Sequence, residues 1–288
     1  MKQFNQENFF ADRQGRDGEC RLMSSASKSV ATGDTDGPLR VQTHEAVAVV
    51  SFNRPEKRNA INDALLDDLR SFFSKPPKGV KAVVLQGLGG HFSAGLDLSE
   101  QSQREPQEVL YHSRGWHSVM EQIQFGGLPV VSVLTGAVMG GGLEIAAATH
   151  VRVAEPSAVF QLPEGKRGIF VGGGATVRVG RIVGADRMTE MMLTGRRYGA
   201  EESLNLGLSH YLVGEGEGLA KALELAGDIA GNAPLVNYLI IQAISRIDDM
   251  SRADGLFTES LSAALSQSGT DAQEGLKAFL EKRKPSFR

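Results

Sequence analysis

Two segments of this chain, VKAVVLQG at 80–87 and PVVSVLTG at 129–136, are apolar almost from end to end, and a third, THVRVAE at 149–155, is rich in β-branched residues. A strand with one wet face alternates apolar and polar residues, whereas an unbroken apolar run needs cover on both faces. Chains provide that cover by laying helices on both sides of a parallel sheet. Helical spacing occurs where such a layout requires it, at 64–73 and 105–125, with a further helix opening at Gly141 or Gly142. Strands and helices alternate, so the fold class is α/β. Ahead of them, LRVQTHEAVAVVSFN starting at Leu39 carries two β-branched runs that predict a hairpin turning at 43–45. No fixed-period repeat is visible.

The ends differ from this core. Residues 1–38 are polar, mixed in charge and without periodicity, which predicts a disordered extension. They lack the apolar centre of a secretory signal, and their acidic residues fit poorly with an organelle transit peptide; Met23 could be the natural start. Residues 39–234 form the predicted core. Beyond Pro234 the strand signals stop, and 235–282 reads as successive amphipathic helices, a helical region at 235–288 whose apolar stripes exceed what one small subdomain can hide. The formal net charge is −3, too small to imply a nucleic-acid partner. No apolar run approaches the roughly 20 residues of a membrane span, and the single cysteine, Cys20, suits a reducing compartment. The expectation is a cytoplasmic protein without nucleic-acid or membrane partners.

The densest chemical signal is VMGGGLE at 138–144. A helix start leaves backbone N–H groups unpaired at the positive end of the helix dipole, and glycine lets another atom approach them. A nucleotide-binding turn is the competing reading, but the third glycine of that fingerprint and the Lys-Ser/Thr of a phosphate loop are both missing. Glu144 lies just inside an otherwise apolar helix; a capping carboxylate would explain it alone, but FQLPEG at 160–165 supplies a second carboxylate, Glu164, before a glycine-rich loop. The two could share one pocket. A third element is GHFSAGLDL at 90–98. Its Ser93 lacks the spacing of a nucleophile elbow and His91 has no evident partner, so both read as structural. The peptide at Ala94-Gly95 and the GGG turn follow successive strands and could present two N–H groups to one oxygen, an oxyanion hole.

NRPEKRNAIN, HFSAGLDL, the MGGGLE turn, LPEG and the ending AFLEKRKPSF, in this order and spacing over 39–287, resemble the enoyl-CoA hydratase/isomerase (crotonase) superfamily. The resemblance implies a crotonase-like spiral of ββα units and a C-terminal helical region that assembles homotrimers, often paired into homohexamers. It implies an acyl-CoA thioester substrate, held at its carbonyl by the N–H groups of Ala94 and Gly141. It also implies hydration of a 2-enoyl-CoA, with Glu144 activating water and Glu164 delivering the Cα proton. No cofactor or metal is implied, since coenzyme A is part of the substrate. Isomerisation is the nearest alternative, and a non-catalytic, for instance RNA-binding, relative a more distant one with little basic-aromatic patterning to support it. Lys57, Arg58 and the backbone at Ala60 match the family's CoA-contacting loop, and Lys282 a basic C-terminal helix that reaches a neighbouring subunit's ligand; each cation could equally be solvated surface. The chain departs from the common hydratase pattern at Lys166 and Arg167, read as a polar loop, and at Val171, where a proline is usual. Tyr111, Trp116 and Phe125 could line an acyl pocket, although core packing is the expectation.

Overall fold

Val47–Phe52 (β2) is buried at every residue, pairing antiparallel with Leu39–His44 (β1) and parallel with Ala82–Gly87 (β3). The hairpin turns at Glu45, whose φ of 53° lies in the left-handed region. The computed structural model describes residues 37–100 and 104–287, so the extension expected to be disordered lies, but for its last two residues, outside the described residues. From β3 the sheet continues in parallel through Val130–Leu134 (β4), Val151–Ala154 (β6) and Tyr211–Leu212 (β8), giving the order β1-β2-β3-β4-β6-β8.

Both faces of this sheet are covered, as its apolar strands demand. On one lies Gly218–Ala230 (α7), whose Ala222, Ala226 and Ala230 recur every four residues and pack on Val49, Val84, Val131, Val133 and Val153. The buried Glu155 sits at its start, where Oε1 accepts from the first helical N–H, that of Gly218, and Oε2 from Gly216 just ahead of the helix, each at 2.9 Å. The other face holds the larger core, filled from Asp63–Ser74 (α1), Pro106–Phe125 (α2) and Gly141–Ala148 (α3). The Asn62 side chain caps α1 by accepting from the Leu65 N–H (3.1 Å), and a Glu105–Glu108 capping box with Pro106 opens α2.

A second, smaller layer positions the site. Ala137–Met139 (β5) pairs in parallel with Val159–Gln161 (β7), and single bridges extend the layer at Ile61–Leu96, Ser93–Val138 and Phe160–Tyr198. Each turn of chain therefore runs through a strand of the large sheet, a short extended piece in this layer, then a helix. The turns are β3, Ser93 and α2; β4, β5 and α3; β6, β7 and, after a 3-10 turn at Glu164–Arg167, Ala175–Val183 (α4). Three-residue strands carry too little periodicity for sequence reading, and β5 and β7 are absent from the elements predicted above.

After Ala185–Thr194 (α5) and Ala200–Asn205 (α6), the chain ends in Pro234–Ile247 (α8), Arg252–Gln267 (α9) and Thr270–Leu280 (α10). The helix α8 rests on the end of α2, where the Gln242 amide donates to the Phe125 carbonyl (2.5 Å) and Arg246 stacks 4.0 Å above the Phe125 ring. Leu256, Phe257, Leu261, Leu265, Phe279 and Leu280 of α9 and α10 are 51–80% exposed. No described helix is long and apolar enough to cross a membrane.

Candidate active site

Every residue of α3 is buried, so the Glu144 side chain in its first turn, 4% exposed, has to find its hydrogen bonds inside the protein. It finds them at the start of α4, where the Gly173 and Ala175 N–H groups donate to Oε1 at 2.8 and 3.0 Å. Burial raises its carboxyl above the ordinary range, while these donors and the Arg178 cation pull it back down. Only glycine fits at 173, because a Cβ there would stand 2.6 Å from Glu144 Oε2.

Glu164 enters the same space from the end of β7. It is 6% exposed, and its Oε2 has no hydrogen-bond partner among the described residues. Burial pushes its carboxyl up to about 7, the turn's own N–H offsetting part of the rise and the charge of Glu144 adding to it. Its Oε1 reaches the turn ahead of α3, 2.8 Å from where a Cβ on Gly140 would stand. Gly140 has φ 51° and ψ −123°, a conformation open to glycine and little else. Two neighbouring carboxyls thus have unequal surroundings, Glu144 fed by two N–H donors and Glu164 with an unpaired buried Oε2, which is the pattern of a base paired with an acid.

The N–H groups left free at this loop differ from the expected pair. The Ala94 N–H is committed to the Arg58 carbonyl (3.0 Å), so Ala94 cannot serve. At the Ile61–Leu96 bridge the Gly95 carbonyl accepts from Ile61 (2.8 Å) and the Asp97 N–H donates to Ile61 (2.9 Å). Backbone groups alternate sides along an extended chain, so the Leu96 N–H between them faces away from Ile61. It faces Gly141: a Cβ built on Gly141 would lie 3.5 Å from Leu96 N, and one on Gly95 (φ 92°) 3.1 Å from Gly141 N. Among the described residues neither the Leu96 nor the Gly141 N–H has an acceptor. The alternation rule, applied to SAGLDL, was the signal that could have found Leu96.

Surrounding groups fix this loop. Ser93 Oγ donates to the Asn59 carbonyl (2.8 Å) and accepts from the Gly95 N–H (3.1 Å), His91 Nδ1 accepts from Ala137 (3.0 Å), and Arg54 pairs with Asp97 at 2.8 Å. Ser93 and His91 are therefore structural. Lys57 and Arg58 are exposed on the adjoining turn, with Lys57 Nζ donating to Ser99 Oγ (3.1 Å). The Ala60 backbone is used within the loop, its N–H on the Lys57 carbonyl (3.1 Å) and its carbonyl on the Arg54 guanidinium. Lys282 is exposed just past α10, which packs on α9. Lys166 and Arg167 are exposed on the 3-10 turn, the Lys166 stem lying against Gly195. Of the three aromatics on α2, Tyr111 is 63% exposed and Phe125 lies under Arg246; Trp116, 4% exposed, packs against the backbone of both Gly141 and Gly173.

The family model for enoyl-CoA hydratase/isomerase matches residues 42–288. Enoyl-CoA hydratase EchA19 of Mycobacterium tuberculosis is 30% identical over 263 residues, 90% of this chain and 99% of its own length. Among solved structures, an enoyl-CoA hydratase from Bacillus anthracis superposes with a TM-score of 0.83 at 31% identity, covering 87% of this chain and 99% of that one. A Rhodopseudomonas palustris protein, provisionally named an enoyl-CoA hydratase, does so with a TM-score of 0.83 at 48% identity, covering 85% and 95%.

Proposed function

This chain belongs to the enoyl-CoA hydratase/isomerase family and has its crotonase fold, and on that premise we propose that it adds water across the double bond of a 2-enoyl-CoA to give a 3-hydroxyacyl-CoA. Membership makes it an enzyme of the hydratase/isomerase class that binds acyl-CoA. The finer choice of hydration is supported by the unequal carboxyl pair, Glu144 with two N–H donors and Glu164 with none on its buried Oε2.

In this reading the thioester carbonyl accepts from the Leu96 and Gly141 N–H groups, which stabilise the negative charge that gathers on oxygen as the enolate forms. Glu144, ionised, takes a proton from water as the water oxygen bonds to Cβ. Glu164, protonated, gives its proton to Cα. The double bond is consumed, one O–H bond of water is broken, and a proton passing from Glu144 to Glu164 restores the starting state. Lys57 and Arg58 offer cations to the CoA phosphates, and Lys282 would do so across a subunit boundary.

Turnover of a trans-2-enoyl-CoA in ¹⁸O-labelled water tests this directly. Label at Cβ of a 3-hydroxyacyl product is the expected result. Double-bond migration without label would replace hydration by isomerisation, and no turnover over short, long and aromatic substrates would leave a silent fold.

Assembly follows from the exposed apolar side chains of α9 and α10, which a second copy would cover. A homotrimer or homohexamer is expected. Light scattering should give three or six times the chain mass of 30.9 kDa, and a monomer at micromolar concentration would refute it.

A further inference from the structure

Ser113, Trp116 and His117, spaced i, i+3, i+4, share one face of α2, and that face meets the loop 172–174. Ser113 Oγ donates to the Gly172 carbonyl (2.6 Å), and a Cβ on Gly174 would lie 3.9 Å from the His117 ring. Between them the indole bridges two parts of the site. A Cβ on Gly141 would stand 2.7 and 2.9 Å from its Cη2 and Cζ3, and one on Gly173 would stand 2.9 Å from its Cε3. Gly141 is the oxyanion glycine of the reading above, and Gly173 holds Glu144 through its N–H. One ring edge therefore spans the distance from the oxyanion donor to the base.

With the carbonyl oxygen on the Leu96 and Gly141 N–H groups, Cβ has to approach Glu144, so the rest of the acyl group continues toward the wall that Trp116 forms. The ring is 4% exposed and is pinned by flanking contacts, so it cannot yield without disturbing the loop that holds Glu144. We propose that Trp116 is the specificity-determining residue of this site and restricts it to short acyl groups, an inference that rests on the hydratase reading only for the placement of the thioester.

Longer chains ordinarily bind apolar pockets more tightly with each methylene, so a preference for the short ligand is diagnostic. Calorimetry with butanoyl-CoA and decanoyl-CoA, both saturated and so unable to be hydrated, should show the wild type binding butanoyl-CoA at least about tenfold more tightly. In Trp116→Ala that ratio should shift by about tenfold or more toward decanoyl-CoA, and Trp116→Phe, which keeps one ring and serves if the alanine variant does not fold, should shift it partway. A wild type that prefers decanoyl-CoA, or an unchanged ratio in the folded variants, overturns the proposal. Because no turnover is needed, a shifted ratio without ¹⁸O incorporation would remove the hydratase reading and leave the size restriction standing.

Discussion

Glu144→Gln and Glu164→Gln are each expected to lower hydration of a 2-enoyl-CoA by a factor of about 10² to 10⁴, the range that acid or base assistance supplies. Both glutamines preserve shape, so binding of a saturated acyl-CoA should persist. The pair also fixes a pH dependence. In the proposed mechanism Glu164 is the acid, and burial places its carboxyl at about 7, so wild-type kcat/KM should fall as pH rises through about 7. That limb should vanish from the residual rate of Glu164→Gln. The folded protein holds this proton up to about 7, whereas the unfolded chain releases it near 4.5. The stability this contributes is complete below 4.5 and lost between 4.5 and 7. Glu164→Gln should not show that loss, and thermal unfolding across this interval would reveal it. A single glutamine that leaves turnover untouched would break the two-carboxyl mechanism.

Gly141→Ala keeps its N–H but, by placing a methyl against the proposed carbonyl position, should cost about 10² to 10³ in kcat, the range seen where one oxyanion donor is lost. Its Cβ would come within 2.7 Å of the Trp116 ring and 3.5 Å of Leu96 N, where the carbonyl oxygen has to sit. Gly141 is absent from the positive-φ positions, and alanine favours a helix over glycine by about 1 kcal/mol. The pinned indole cannot give way freely, so the crowding outweighs that gain and the variant should also melt below wild type. The expected signature is a large fall in turnover of protein that circular dichroism shows to be folded at the assay temperature. Retention of more than about a tenth of the activity would move the oxyanion site elsewhere.

Much of the large sheet was legible because burial on both faces writes itself into sequence. The runs VAVVSF, VKAVVLQG and PVVSVLTG hold β2, β3 and β4, and the Asn62 and Glu105 caps mark where α1 and α2 begin. The second layer was not legible, since β5 and β7 have three residues each and their pairing is fixed by neighbours far away in the chain. Within the site, Glu144, Glu164 and Gly141 stood out as polar or flexible residues in apolar settings. Leu96 did not, because it serves through its backbone and its side chain says nothing about which way an N–H points. Trp116 looked like core, and it is core; that its edge also rests on two glycines of the site depends on a helix crossing that periodicity alone does not specify.

The small layer delivers the groups of the proposed site turn by turn: Leu96 after the Ser93 bridge, Gly141 and Glu144 after β5, Glu164 after β7. Each turn brings its groups on its own strand end, so mutation can exchange one turn's groups without rewinding the others. On the proposed mechanism, a lineage that lost the carboxyl at 164 would keep the N–H pair that holds the thioester oxygen, and the enolate formed there would meet a different partner. Such separability makes this architecture permissive to divergence: new reactions require editing a single rung, while the scaffold that tames the thioester is inherited whole.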